Sequence, residues 1–304
     1  MGQKFKFDFG KVEEQIKKQD EKKDYTDNRF WKLTPDESGN AMAIIRFIPD
    51  KNGNPFVKYY AHSFEYNDNG TKKWYIENCV STFGFDRKCP ICEKNQEYWN
   101  SAFEKDKEIA SIRKRKLFYV ANIHVIKNPN NPEQEGSTFL FKFGPKIYEK
   151  IKAKWFPSAT DLADPDFVQF IPFDLYEGAN FKLKGINLNT KQNKRGVYPN
   201  YDTSEFSPQS KFLGGDDKKI EKVIEETNVL DEFVDESKFP TNDHVKKVLA
   251  SILGGTAQVK EEKDVPSFDS DDDIPDFSSK ESLPFKTDDE EIDDDDAFFE
   301  DLKK

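Results

Sequence analysis

The sequence predicts an α+β, β-rich fold: short strands forming a small barrel, with helical additions and an acidic tail that does not fold. Three observations predict it. Short runs of strand character between about Phe30 and Leu213 are separated by Asn, Gly and Pro turns, as in small antiparallel barrels. Of 304 residues, 35% are charged and only 35% hydrophobic, with a mean hydropathy of −0.87, which leaves little apolar material for a second core. Charge is also segregated. Residues 261–304 hold 19 Asp/Glu against 5 Lys/Arg, leaving 42 Lys/Arg against 39 Asp/Glu in residues 1–260. A mildly basic body with an acidic interaction tail explains the pI near 5.0.

Residues 1–28 read as a polar arm opening with alternating basic and aromatic residues: Lys4, Phe5, Lys6, Phe7 and Phe9. A short helical pattern follows around Val12 and Ile16. The body, residues 29–255, begins its strands with Met42–Ile48, an apolar run interrupted only by Arg46. Trp74–Ile76, Leu117–Ile126 and Thr138–Phe143 read as further strands. The two-residue period puts Phe139, Phe141 and Phe143 on one face. Lys146–Phe156 is a short helix, with Ile147 and Ile151 four apart. Phe181–Leu188 places Phe181 and Leu183 on one face, Lys182 and Lys184 on the other. Residues 218–234 and 242–253 read as amphipathic helices closing the body, the second ending at Gly254-Gly255. Residues 256–304 carry Pro266, Pro275 and Pro284 among Asp and Ser and are disordered by composition. Isolated phenylalanines punctuate them, ending in Phe298-Phe299.

The N-terminus lacks the apolar run of a signal peptide, and no stretch has the ~18 apolar residues of a membrane span. A soluble, intracellular protein without membrane contact is expected. Three cysteines, two in a Cys-x-x-Cys pair, fit a reducing compartment and a metal better than a disulfide framework.

His62, Cys79, Cys89 and Cys92 form the clearest constellation. Three thiolates and an imidazole are a closed tetrahedral set for one Zn²⁺, leaving no open position for water, so the zinc is expected to be structural. The blander alternative is buried free thiols with an ordinary loop histidine. A catalytic deaminase zinc needs His-x-Glu and Pro-Cys-x-x-Cys. Here His62-Ser63-Phe64-Glu65 is one residue too long, and Pro90 lies inside the knuckle rather than before it.

Arg113-Lys114-Arg115-Lys116 is the densest basic run of the body and leads into strand residues Leu117-Phe118-Tyr119. Such cations neutralise phosphates whatever the sequence. Aromatic rings beside them offer stacking platforms worth ~1–3 kcal/mol per base. Trp74, Tyr75, Tyr119, Phe141, Tyr148 and Tyr201 are the candidates. Lys142, Lys146, Lys182, Lys184, Lys194 and Arg195 are placed to line the same groove. Most aromatics of a β-rich domain are core, so the competing reading is a zinc-containing interaction adaptor whose rings are all buried. Quenching of aromatic emission by oligo(dT) separates the two.

Several segments carry a family likeness. They are Ala43-Ile44-Ile45-Arg46-Phe47-Ile48-Pro49, Lys73-Trp74-Tyr75-Ile76-Glu77-Asn78-Cys79, Cys89-Pro90-Ile91-Cys92, and Lys114-Arg115-Lys116 with Tyr119. Phe143-Gly144, Glu177-Gly178-Ala179-Asn180-Phe181 and Asn200-Tyr201-Asp202 continue it. Over about residues 30–215 the chain resembles the single-stranded DNA-binding, helix-destabilising proteins of T-even-type tailed bacteriophages. The resemblance implies an OB-fold core with a zinc subdomain at about residues 60–95, binding single strands without sequence preference and without enzymatic activity. It adds Arg46 and Phe181 to the DNA-binding candidates. It implies that the arm, through Lys4, Phe5 and Lys6, docks on the next protomer and makes binding cooperative. It implies that the acidic tail, Phe298 and Phe299 included, recruits replication, recombination and repair proteins and competes with DNA for the basic groove. The setting would be the cytoplasm of an infected bacterium. Departures are Val120 and Phe141, which stand where a Trp and a Tyr are expected, and a longer His62-to-Cys79 interval.

Overall fold

A computed structural model describes residues 27–68, 70–84, 87–186, 188 and 200–254, and the following strands and helices are those of the described residues. Seven strands form one antiparallel sheet: β1 (Ala41–Ile48), β2 (Val57–Asp68), β3 (Thr71–Asn78), β4 (Lys116–Lys127), β5 (Thr138–Phe143), β6 (Ala179–Gly185) and β7 (Glu205–Gln209). Six α-helices accompany them: α1 (Pro90–Trp99), α2 (Glu104–Arg113), α3 (Pro145–Trp155), α4 (Ala159–Ala163), α5 (Asp217–Glu225) and α6 (Asn242–Gly254).

β4 is the hub. One of its edges takes β2 along its first half (Ala61↔Lys116, Val57↔Val120) and β1 along its second (Ile48↔Asn122, Ile44↔Lys127). Its other edge takes β5 (Tyr119↔Phe143 to His124↔Thr138). β1 and β2 share one edge because the chain between them loops out at Asp50. The carboxylate of Asp50 accepts from the Asn52 and Asn54 amides at 2.9 and 2.8 Å, and Gly53 takes φ 88°, where a side chain is strained.

The ladder order β3-β2-β4-β1-β6-β7 leaves both ends open, so the strands curl about a core without closing a hydrogen-bonded ring. Phe47 of β1 meets the rings of Phe143, Phe181 and Phe206, from β5, β6 and β7, at centroid distances of 5.8, 5.6 and 6.5 Å. This main core is capped by α3 through Ile147, Tyr148 and Ile151. Its helix runs from Pro145 to Trp155, close to the expected Lys146–Phe156. The opposite face of β2, β4 and β5 holds a second cluster around Phe118, Val120, Leu140, Leu230 and Phe239.

A third cluster joins the outer half of the β2–β3 hairpin to α1. α6 covers it, Val245 and Ile252 packing with Phe64, Tyr75, Cys79, Cys89 and Ile91. β2, α1 and α2 were not legible from periodicity. α2 fully buries only Ala110, so it shows no apolar stripe. The helix expected over 218–234 stops at Glu225. Beyond it the chain is pinned by tertiary bonds: the Asn228 amide donates to Asn122 Oδ1 at 3.0 Å and the Leu230 amide to Asp50 Oδ2 at 3.0 Å.

Candidate metal centre and nucleic-acid interface

His62 sits on β2, fully buried. Cys79 follows β3, Cys89 is the residue before α1, and Cys92 lies in that helix's first turn. Pro90 at the first helical position has no amide to orphan and presets the turn that brings Cys89 and Cys92 together. Cys89 Sγ and Cys92 Sγ lie 3.6 and 3.4 Å from His62 Nε2, and Cys79 Sγ lies 3.6 Å from Cys92 Sγ. All four ligand atoms fall within 4.8 Å of one another. Bonds of about 2.3 Å to sulfur and about 2.0–2.1 Å to nitrogen put the corners of a tetrahedron roughly 3.5–3.8 Å apart. The four residues therefore fit one metal ion held entirely by protein.

Charge within the set is shared. Burial pulls the His62 imidazole down, but hydrogen bonds and negative charge from Cys79 and Cys89 outweigh it and hold it at about 9. Hydrogen bonds from Cys89 and Cys92 push the Cys79 thiol far below the usual thiol range, while the same neighbourhood drives Cys92 up. A bound cation displaces those protons. The far nitrogen, His62 Nδ1, lies 2.8 Å from the carbonyl oxygen of Arg113, which fixes the ring for ligation through Nε2.

That contact joins the ligand set to the basic run. Arg113 ends α2, its guanidinium 5.8 Å from the Phe64 ring centroid and pushed down by burial. The Arg115 guanidinium lies 4.1 Å over the ring of Tyr60. Strand alternation sends Arg115 to the Tyr60 face and Lys116 to the Phe118 face, where Lys142 Nζ sits 4.2 Å over Phe118. Lys58, opposite Tyr119 in the ladder, shares the Tyr60 face; neither Lys58 nor Tyr60 was among the sequence candidates. Their signal was the alternation of Lys58, Tyr60 and His62 in β2. A second basic site lies at α3: Lys146 pairs with Asp202 at 3.2 Å and Lys150 donates to the Asp202 carbonyl at 2.8 Å, beside half-buried Tyr201. Lys184 pairs with Glu205 at 2.9 Å, and Lys182 is half-buried on the same strand face.

Of the aromatic candidates, Trp74 is 58% exposed on the outer face of β3. Tyr201 is half-buried, and five others differ from expectation. Tyr75, Tyr119, Phe141, Tyr148 and Phe181 are buried, and their faces are already covered by protein. Tyr119 lies 4.1 Å from Tyr148 and 5.6 Å from Phe143 in near-parallel stacks. Phe141 packs edge-on to Trp31, Phe181 against Phe206, and Tyr75 against Phe64. In this arrangement they build the core and offer no ring to a base. Arg46 is also a correction, because it is fully buried. Its Nη2 donates to the Asp174 carbonyl at 2.6 Å, and burial holds it at about 10. A Cβ on Gly178 would lie 2.9 Å from that nitrogen and 2.3 Å from the same carbonyl, so glycine is required for the close approach. Arg46 thus ties β1 to the loop before β6. Lys194, Arg195, Lys4, Phe5, Lys6, Phe298 and Phe299 lie outside the described residues.

Fold and site together define a β-rich protein with a four-residue metal-ligand set anchoring a basic strand entry. Residues 39–253 match a family model described as "gp32 DNA binding protein like". The chain is 35% identical over 263 residues to a single-stranded DNA-binding protein of Enterobacteria phage T2, covering 81% of this chain and 80% of that one. The single-stranded DNA-binding protein of Enterobacteria phage T4 is 35% identical over 263 residues, covering 81% of each. That of Enterobacteria phage RB70 is 40% identical over 95 residues, 31% of this chain and 76% of its own. The chain belongs to the gp32-like DNA-binding protein family.

Proposed function

We propose that this chain coats single-stranded DNA without sequence preference during phage replication, recombination and repair in the infected bacterial cell, and catalyses nothing. Family membership sets the class of ligand. The observation that carries the reading to particular residues is the root of the β2–β3 hairpin, where Arg115 lies over Tyr60, Lys58 shares that strand face and the Arg113 carbonyl meets the metal-ligand set through His62. Guanidinium and ammonium groups there neutralise phosphates and release counterions. Exposed Trp74 supplies a ring for stacking, with Lys114, Lys116, Lys142, Lys146 and Tyr201 extending the surface. The long β4 partnered by β1, β2 and β5 suits a partly open, OB-like barrel. Zinc suits a closed set of three thiols and one imidazole, and its part is to hold the hairpin. Residues 4–6 make contacts between neighbouring copies on the strand. Residues 256–304, including Phe298 and Phe299, recruit partner proteins and compete with DNA for the cations.

Titration with oligo(dT) at increasing salt tests this, with and without a zinc chelator. Affinity falling steeply with salt, with quenched tryptophan emission, is expected; a fully metallated protein that ignores oligo(dT) in dilute buffer refutes it. Binding without any emission change at all leaves the cation contacts and removes Trp74 from the surface.

A further inference from the structure

Four large apolar side chains are exposed within one short stretch after α3: Phe156 (46%), Leu162 (60%), Val168 (52%) and Ile171 (46%). Three of them, with Trp155, line an open groove of about 610 Å³ whose rim carries Asp174 and Glu177. Contiguous apolar surface of this kind is costly to leave in water and marks an interaction site. The loop's own charge is one-sided, although Lys154 of α3 reaches it from the other wall, its Nζ 4.1 Å over the Phe167 ring and 3.4 Å from the Val168 carbonyl oxygen. Residues 158–178 contain Asp161, Asp164, Asp166, Asp174 and Glu177 and not one Lys or Arg, in a body that is otherwise slightly basic. The groove takes no part in the basic surface described above.

The chain carries a segment of the opposite character. Residues 4–9 read Lys-Phe-Lys-Phe-Asp-Phe. In extended form, alternation turns Phe5, Phe7 and Phe9 to one side and Lys4 and Lys6 to the other. Twenty-six residues precede the described body, a reach of roughly 80 Å when extended, enough to leave their own molecule. The acidic tail also has phenylalanines, but its charge has the same sign as the groove rim and is repelled there.

We propose that the groove between α3 and the 162–177 loop is the receptor for residues 4–9 of a neighbouring copy, the phenylalanines seated on Trp155, Phe156, Leu162 and Ile171 and the lysines facing Asp174 and Glu177. This rests on the reading above that residues 4–6 make contacts between copies, and adds where they land. An arm that grips the neighbour's apolar groove leaves both molecules' cations on the nucleic acid.

The test uses the full-length chain with Glu177→Lys, Lys6→Glu and both together. Glu177 is exposed, and its side chain can be reversed without opening the core. Each single variant is expected to weaken binding to long poly(dT) by about tenfold, because like charges then face each other, while affinity for an oligo(dT) that holds one copy is unchanged. The double variant is expected to recover most of the loss. A loss with Lys6→Glu but none with Glu177→Lys, or no recovery in the double variant, overturns the groove and leaves the arm reading standing. If neither Lys6→Glu nor deletion of residues 1–10 alters the ratio of long to short binding, the arm reading itself has failed. A second readout is independent of DNA affinity. A photo-crosslinking phenylalanine analogue at position 7, in a mixture of isotopically heavy and light chains on poly(dT), should join heavy to light at residues 155–171. Links to other surfaces, or within one chain only, overturn the proposal.

Discussion

Tyr119 and Arg115 stand four residues apart on the way into β4, yet their side chains have different work. Tyr119 is sandwiched between Tyr148 and Phe143 inside the main core, so its replacement opens a cavity. Tyr119→Ala is expected to cost about 3–5 kcal/mol in urea unfolding, with DNA affinity per folded molecule nearly unchanged. Arg115 is half-buried and laid over Tyr60. Arg115→Ala should leave the unfolding midpoint within about 0.5 kcal/mol of the parent, weaken oligo(dT) binding, and reduce the slope of log K against log salt by about one. Equal slopes for variant and parent would remove Arg115 from the phosphate contacts. Arg46 belongs with Tyr119. A guanidinium sealed against the Asp174 carbonyl braces two segments, and Gly178→Ala is expected to destabilise the fold by forcing them apart.

At the scale of elements, the β2–β3 hairpin and the α1–α2 pair are tied to the body by the four metal-ligand residues together with the small apolar cluster beneath α6. α2 fully buries one residue, and the outer half of β3 is mostly exposed. What holds them is the ligand set, the His62–Arg113 contact and the cover of α6. Chelation is therefore expected to raise amide hydrogen exchange across residues 62–113 while β5 and α3 stay protected. Loss of protection in β5 and α3 at the same rate would show that the hairpin has no separate stability. Because Arg113 is tethered through its carbonyl, the same treatment should weaken oligo(dT) binding even though no cation has been removed.

For the whole molecule, the governing feature is the separation of charge, with a net of −14 in residues 261–304 against +3 in the remainder. A tethered polyanion has a high effective concentration at any basic surface of its own chain. Removing residues 261–304 is expected to tighten DNA binding and flatten its salt dependence at the low-salt end. Identical titrations for truncated and full-length protein would end the self-competition idea without touching partner recruitment.

The sequence alone determined the ligand set, the charge division, the strand at Met42–Ile48 and the helix after Phe143, because each rests on spacing along the chain. Cys89 and Cys92 announce themselves at a separation of three, and Ile147 and Ile151 at a separation of four. Tertiary structure decided which rings are free. Tyr75 and Trp74 are adjacent residues of one strand, and the cluster beneath α6 buries the first while the second is left 58% exposed among the described residues. The same holds for Lys58 and Tyr60, made neighbours of Arg115 by the β2–β4 register. Local pattern encodes which side chains share a face; what covers or neighbours that face depends on residues far along the chain, as Arg115 is from Tyr60 and α6 is from Tyr75.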